Sequence, residues 1–253
     1  ATFFSSLSPA DAVAVKRSLE KASRGLVLTS DLHPLYLATP PFLSLEPKWE
    51  LYLEHYIALE EGVQNVGEAV GIDLAVLCQA KKTPPKHRSK SHEWTGWTAE
   101  VDLVPYRRFF AALLLYQTVE EVPMMDLLAT FDIHRGTLQS LQQEAATFCG
   151  MVVCFCRHLH WDELGAVIAT LQDRLGHGAK PELLPLMRVS PDLTPARARA
   201  LFDSGIRTLV ELARAEPAKV ASAMLQEGAR AFHGRRGVRP RLRDQKAREL
   251  AAR

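Results

Sequence analysis

The chain has 253 residues, 47% of them apolar and 24% charged, and its 31 basic and 29 acidic side chains leave a formal net charge of +2. A chain of this length buries roughly 70 to 75% of its extended surface on folding, so it needs no disulfide or metal to hold a core. Its apolar fraction excludes a wholly disordered chain, and no apolar run approaches the roughly 18 residues of a membrane span.

The segment that begins at Ala1 lacks a basic region followed by a signal-like apolar stretch, so a soluble, intracellular chain is expected. That segment also reads as interior sequence, which leaves open an address further upstream.

Helical periodicity dominates from the start. Ser8, Pro9 and Asp11 supply an N-cap, a first-turn proline and a first-turn acid, and Val13, Val15, Leu19 and Ala22 continue for about four turns to Gly25. Leu32 to Leu37 is too short to separate helix from strand by period and stops before Pro40 and Pro41. Trp49, Tyr52, Leu53, Tyr56, Ile57 and Leu59 mark an amphipathic helix whose aromatics read as core. Short helices are expected around Val66 to Val70 and Leu74 to Cys78.

Residues 81–98 interrupt this pattern with Lys81, Lys82, Lys86, Arg88 and Lys90 against a single acid, Glu93, and with Trp94 and Trp97. Cations next to an aromatic face suit a nucleic acid strand, so Lys86 and Arg88 are candidate contacts; a solvated connection whose tryptophans fold back is the alternative. Helices resume at Tyr106 to Tyr116 and Val122 to Thr130.

The longest periodic segment runs from Gly136 to His160. Leu138, Leu141, Ala145, Phe148, Val152, Phe155 and Leu159 alternate at three and four residues, which makes one apolar stripe. Its other side carries Ser140, Gln143, Glu144, Thr147, Cys154 and His158, a largely uncharged polar surface that suits a strand without demanding a sequence. Leu164, Val167, Ile168, Leu171 and Leu175 form a further run that ends near Gly176 and Gly178, where a domain boundary is expected.

Beyond that boundary the sequence reads as four short helices. Leu183, Leu184 and Met187 mark the first; Thr194 and Pro195 open the second, with Ala198, Leu201 and Phe202 buried and Gly205 at its end; Leu209, Leu212 and Ala213 mark the third, and Val220 and Met224 the fourth. From Arg230 onward nine basic residues face two acids, a charge of +7, which leaves −5 for residues 1–229. Such a basic tail is a phosphate or acidic-surface anchor or a solubilising end.

Catalytic machinery is not evident. The sequence contains no GxxxxGK[ST] loop, HExxH or GxSxG motif, and its carboxylate pairs lack a partner constellation. Cys78, Cys149, Cys154 and Cys156 form no CxxC, and three of them fall within one apolar segment, which points to reduced structural thiols.

Three stretches in order, SLSPADAVAVKRSLEKASRGLVLTSDLHPLYLATP, RGTLQSLQQEAATFCGMVVCFCRHLHW and ELLPLMRVSPDLTPARARALFDSGIRTLVELARA, resemble the carboxy-terminal part of the helicase region of DNA polymerase theta and its relatives, the superfamily 2 helicases of the Hel308 type. The resemblance implies an all-α fold: residues 1–180 hold the end of a preceding helicase region and a helical ratchet-like bundle around a long central helix, residues 181–230 a helix-hairpin-helix-like domain, and residues 231–253 a basic tail whose order is left open. It further implies a noncatalytic, single-stranded DNA-binding and guiding part of a nuclear DNA repair helicase. ATP and Mg would be held by upstream RecA-like domains, with no cofactor in this chain. The implied partners are single-stranded DNA, those upstream domains and repair proteins, and no membrane. The longer parent would be an ATP-dependent helicase, a polymerase or both.

Two departures bear on the DNA contacts. Archaeal relatives carry an Arg and a Trp on the ratchet helix, and the matching positions here are Ser140 and Thr147, which leaves hydrogen bonding by Ser140, Gln143 and Thr147. The hairpin turn from Val189 to Thr194 has no glycine to let backbone N–H groups meet a phosphate, and it contains Asp192. Arg188, Arg197 and Arg199 remain as candidates there. The alternative is a protein interaction scaffold derived from the helicase fold that has lost most DNA contact.

Overall fold

The computed structural model describes residues 9–43, 45–87, 94–95, 102–190 and 193–225, and among these the fold is all-α. The one pairing of extended backbone among the described residues is two residues long, with Lys86 opposite Thr95 and His87 opposite Trp94, antiparallel. Residues 88–93 and 96–101, Arg88 included, lie outside the described residues, as do the Ser8 cap and residues 226–253. The chain divides into two compact units, Ala1–Lys180 and Pro181–Arg253.

The first unit opens with α1 (Pro9–Arg24), which buries Val15, Leu19 and Ala22 at helical spacing while Val13, expected in the same stripe, faces outward. The open alternative at Leu32 resolves as a helix, α2 (Leu32–Ala38). All seven of its residues are buried, His33 and Pro34 among them, so it has no polar face and hence no period to read.

In α3 (Trp49–Ala58), Trp49, Tyr52 and Tyr56 pack in the core as expected. Leu53 is buried as well, whereas Ile57, one turn beyond it near the end of the helix, is 52% exposed. Next come α4 (Glu61–Val70) and α5 (Leu74–Lys82). The latter runs past Cys78 into the basic segment, where Lys81 and Lys82 occupy its last turn and complement the negative end of the helix dipole.

Four more helices complete the unit: α6 (Val104–Val119), α7 (Met124–Phe131), α8 (Arg135–His158) and α9 (Asp162–His177). The stripe of α8 is buried from Leu138 to Phe155, and each such side chain contributes roughly 1.5 to 3 kcal/mol by leaving water. Helices α8 and α9 form an antiparallel pair held close by small residues, since a Cβ on Gly165 would stand 3.0 Å from the Cβ of Cys156. The Cys149 thiol donates to the Ile168 carbonyl (3.2 Å), and the Gln142 amide to the Leu175 carbonyl (3.4 Å).

Buried polar groups tie the sequence-distant parts of this unit together. Arg108 of α6, 3% exposed, donates from Nε to the Thr39 carbonyl (2.7 Å), from one terminal nitrogen to the Leu37 carbonyl (3.0 Å) and from the other to the Ser18 hydroxyl (3.1 Å). Its guanidinium also lies over the Tyr36 ring at 4.4 Å. Arg174 of α9, 6% exposed, meets Asp31 at 2.6 Å just ahead of α2, and Glu120 at 3.8 Å after α6. The His33 Nδ1 accepts from the Val27 N–H (3.0 Å), and burial lowers the pKa of this imidazole to about 4.

The second unit starts with a 3-10 turn (Pro181–Leu183) that leads into α10 (Leu184–Met187), followed by α11 (Pro195–Asp203) and α12 (Leu209–Arg214). Residues 217–225 are also helical. The Thr194 hydroxyl accepts from the Arg197 N–H at the start of α11, as a Thr-Pro helix opening requires. Gly205, at φ +89°, takes the left-handed position that follows α11. Thr208 and Glu211 form a reciprocal capping box on α12, and the N–H groups of Arg207 and Thr208 hold the Glu211 carboxyl below its usual pKa. Ala198 and Leu201 are buried as expected, whereas Phe202 is only half-buried.

Candidate nucleic-acid interface

A long helix that buries one stripe must present the opposite one. On α8 the outward side carries Ser140, Gln143, Glu144 and Thr147, all exposed, with half-buried Cys154 and exposed Arg157 and His158 further along. The 24 residues of α8 span roughly 36 Å, and Ser140 to Thr147 roughly 10 Å of that. The three expected polar contacts therefore fall on one exposed row.

Their hydrogen-bonding capacity differs. The Thr147 hydroxyl donates to the Gln143 carbonyl one turn back (2.9 Å), so only its oxygen lone pairs remain for a ligand. Ser140 lines an open groove of about 460 Å³ together with Leu43, Leu45, Glu46, Thr137, Leu141 and Glu144. Glu46 is already bonded to Arg107 at 2.8 Å, and Glu144 is exposed. This part of the surface therefore disfavours phosphate.

Cations on α8 sit at its ends. Arg135 and Arg157 are both exposed and 22 residues apart, roughly 33 Å along the axis. Arg157, three residues beyond Cys154, continues the polar row, a position that helical spacing makes legible. His158 turns back, its Nδ1 hydrogen-bonded to the Cys154 carbonyl (2.8 Å). The thiols of Cys149 and Cys156 face inward, and burial pushes their pKa values up to about 12 and about 11, which keeps them protonated and unreactive.

The arginines of the second unit are not equivalent. Arg188 and Arg197 are exposed, at the end of α10 and in the first turn of α11. Arg199 is half-buried and committed: it pairs with Glu182 at 2.8 Å and Asp203 at 4.0 Å, and its guanidinium lies 5.2 Å from the Phe202 ring centre. Arg207 approaches the same ring at 5.2 Å, an aromatic contact that sequence spacing did not bring out. Lys86 belongs to the short extended pairing, and Arg88, like Pro191 and Asp192 of the hairpin turn, lies outside the described residues.

Residues 9–175 match the family model of the helical domain of the DNA polymerase theta helicase-like region. The chain belongs to this family. It is 38% identical over 223 residues to DNA polymerase theta of Drosophila melanogaster, a match that covers 87% of this chain and 10% of that protein. Similarity to human Helicase POLQ-like is 31% over 79% of the chain and 17% of the relative. With the ATP-dependent DNA helicase Hel308 of Pyrococcus horikoshii, identity is 30% over 45% of the chain and 16% of the relative. The chain thus spans about a tenth of the length of the polymerase theta it matches. Among the described residues no group of three or more His, Cys, Asp or Glu side chains is arranged to hold a metal ion, and no helix is long and apolar enough to cross a membrane.

Proposed function

We propose that this polymerase theta family chain binds and guides single-stranded DNA as a noncatalytic, ratchet-like part of a nuclear DNA repair helicase. The observation that carries this reading is the exposed, mostly uncharged polar row on α8, Ser140, Gln143 and Thr147, mounted on a helix whose other side is fixed in the core. Hydroxyl and amide groups on a rigid rod hydrogen-bond to phosphates and base edges alike, so a strand can slide past without being read. Movement would come from ATP and Mg bound to RecA-like domains in segments outside these 253 residues. In this reading the second unit is helix-hairpin-helix-like and contributes Arg188, Arg197 and Arg199, the last also held by Glu182.

The test is a salt titration of the whole chain against fluorescently labelled single-stranded DNA. Binding tighter than about 100 μM at low salt, weakening as salt rises, is expected, and affinity no better than that limit overturns the reading. A second reading, a protein interaction scaffold that has lost most DNA contact, is favoured by Glu46 and Glu144 beside Ser140 and by the committed Arg199. It predicts no measurable DNA affinity and stable capture of a repair-protein partner.

A further inference from the structure

The outward row of α8 has hydrogen-bonding groups but no aromatic surface, and stacking on a π face is what holds a base irrespective of its identity. An aromatic ring packs on α8 from another element, and the residue after it, Leu43, lines the groove together with Ser140 and Glu144. Phe42, in the connection between α2 and α3, is 49% exposed, and its ring meets the buried Phe148 of α8 at 5.8 Å with the planes at 86°. It follows Pro40 and Pro41, whose fixed φ angles limit the freedom of the loop before it is ordered. Phe148 lies one turn beyond Glu144 and next to Thr147, so Phe42 is anchored one turn along from the groove lined by Leu43, Leu45, Leu141, Ser140 and Glu144.

We propose that Phe42 is the base-stacking platform of this surface, and that the adjoining groove takes one nucleobase of a single strand with its edge facing Ser140 and Glu144. The inference rests on the reading of α8 as a single-stranded DNA surface. The charge of the groove selects the base as occupant over the backbone. Glu144 repels phosphate, whereas a carboxylate accepts from an exocyclic amine as it does from N4 of cytosine. Leucine side chains on the wall suit the flat apolar faces of a base, and about 460 Å³ is within the range of small-ligand sites.

The experiment is fluorescence anisotropy of the whole chain with short labelled oligo-dC and oligo-dT. Phe42→Leu keeps an apolar contact on Phe148 but removes the π face, and it is expected to weaken oligo-dC binding by about five- to a hundredfold. The slope of log affinity against log salt should stay unchanged because no phosphate contact is lost. Phe42→Trp should retain binding and report it through quenching of its fluorescence. The parent should prefer oligo-dC to oligo-dT, and Glu144→Ala should erase that preference. Parent-like affinity of Phe42→Leu, or equal affinity of the parent for the two oligonucleotides, overturns the platform while leaving DNA binding by α8 standing. A parent chain that binds neither overturns both.

Discussion

Replacing Arg108 with methionine tests how the first unit is held together. Exchanging a buried ion pair for apolar side chains is often neutral, because two desolvated charges are removed at once. Arg108 offers no such symmetry: its principal acceptors are the backbone carbonyls of Leu37 and Thr39, at the carboxy-terminal end of α2, and these survive any mutation of the arginine. Each buried carbonyl left without a donor costs about 1 to 3 kcal/mol. The Ser18 hydroxyl and the contact with Tyr36 are lost as well, and release of the buried guanidinium, whose pKa burial has pushed below its usual value, gives part of this back. The two carbonyls set the gross cost at about 2 to 6 kcal/mol and the net expectation at about 2 to 4 kcal/mol, a large share of the roughly 5 to 15 kcal/mol that keeps a domain folded. Urea denaturation followed by far-ultraviolet circular dichroism at neutral pH measures it. Arg108→Lys, which keeps the charge but not the fork, should fall between parent and methionine. A methionine variant within about 1 kcal/mol of the parent would mean that desolvation had already cancelled those bonds, and the reasoning would be wrong.

Three further outcomes follow from the same core. His33 has a folded pKa of about 4 against 6.5 unfolded, so the unfolded chain binds the extra proton between those values; stability should be full above pH 6.5 and fall by roughly 3 kcal/mol as pH drops through 4, read by urea titration across that range. Tyr52→Phe should be neutral or raise the melting temperature, because the Tyr52 hydroxyl is buried without a partner and its removal relieves up to about 1 to 3 kcal/mol; a clear drop in a thermal scan would contradict this. Gly67→Ala should destabilise by about 1 to 3 kcal/mol in the same assay, since its Cβ would stand 2.6 Å from a ring carbon of the buried Tyr56.

One-sided burial leaves a period to read, whereas α6, buried nearly all round, is legible by the length of its apolar run. The stripe of α8 announced itself because polar residues alternate with apolar ones, and the polar row followed directly from it. α2 gave no period because nothing in it faces water. Arg108 reads as a surface residue by type; only its place in the run RRFFAALLL, nearly all of it buried, hinted otherwise. The candidate interface was legible only where it lay on a single helix. Phe42 and the groove join a connection to α8 across about a hundred residues of chain, and pairing at that distance leaves no local trace in sequence. The pairing of Arg199 with Glu182 is not legible in the sequence, since the two lie 17 residues apart, beyond any helical spacing.

The bond from Arg174 to Asp31 spans 143 residues, and those from Arg108 to Ser18, Leu37 and Thr39 span 69 to 90. Bonds so far apart in sequence form only after most of the unit has been synthesised. During synthesis, a nascent chain that has emerged only as far as α8 can already pack α2 against α6 and α8, and the bond to Asp31 waits for α9. Once the fold has closed, the amides of α2 should exchange with solvent only when the whole unit opens, which makes this seven-residue helix a reporter of global stability.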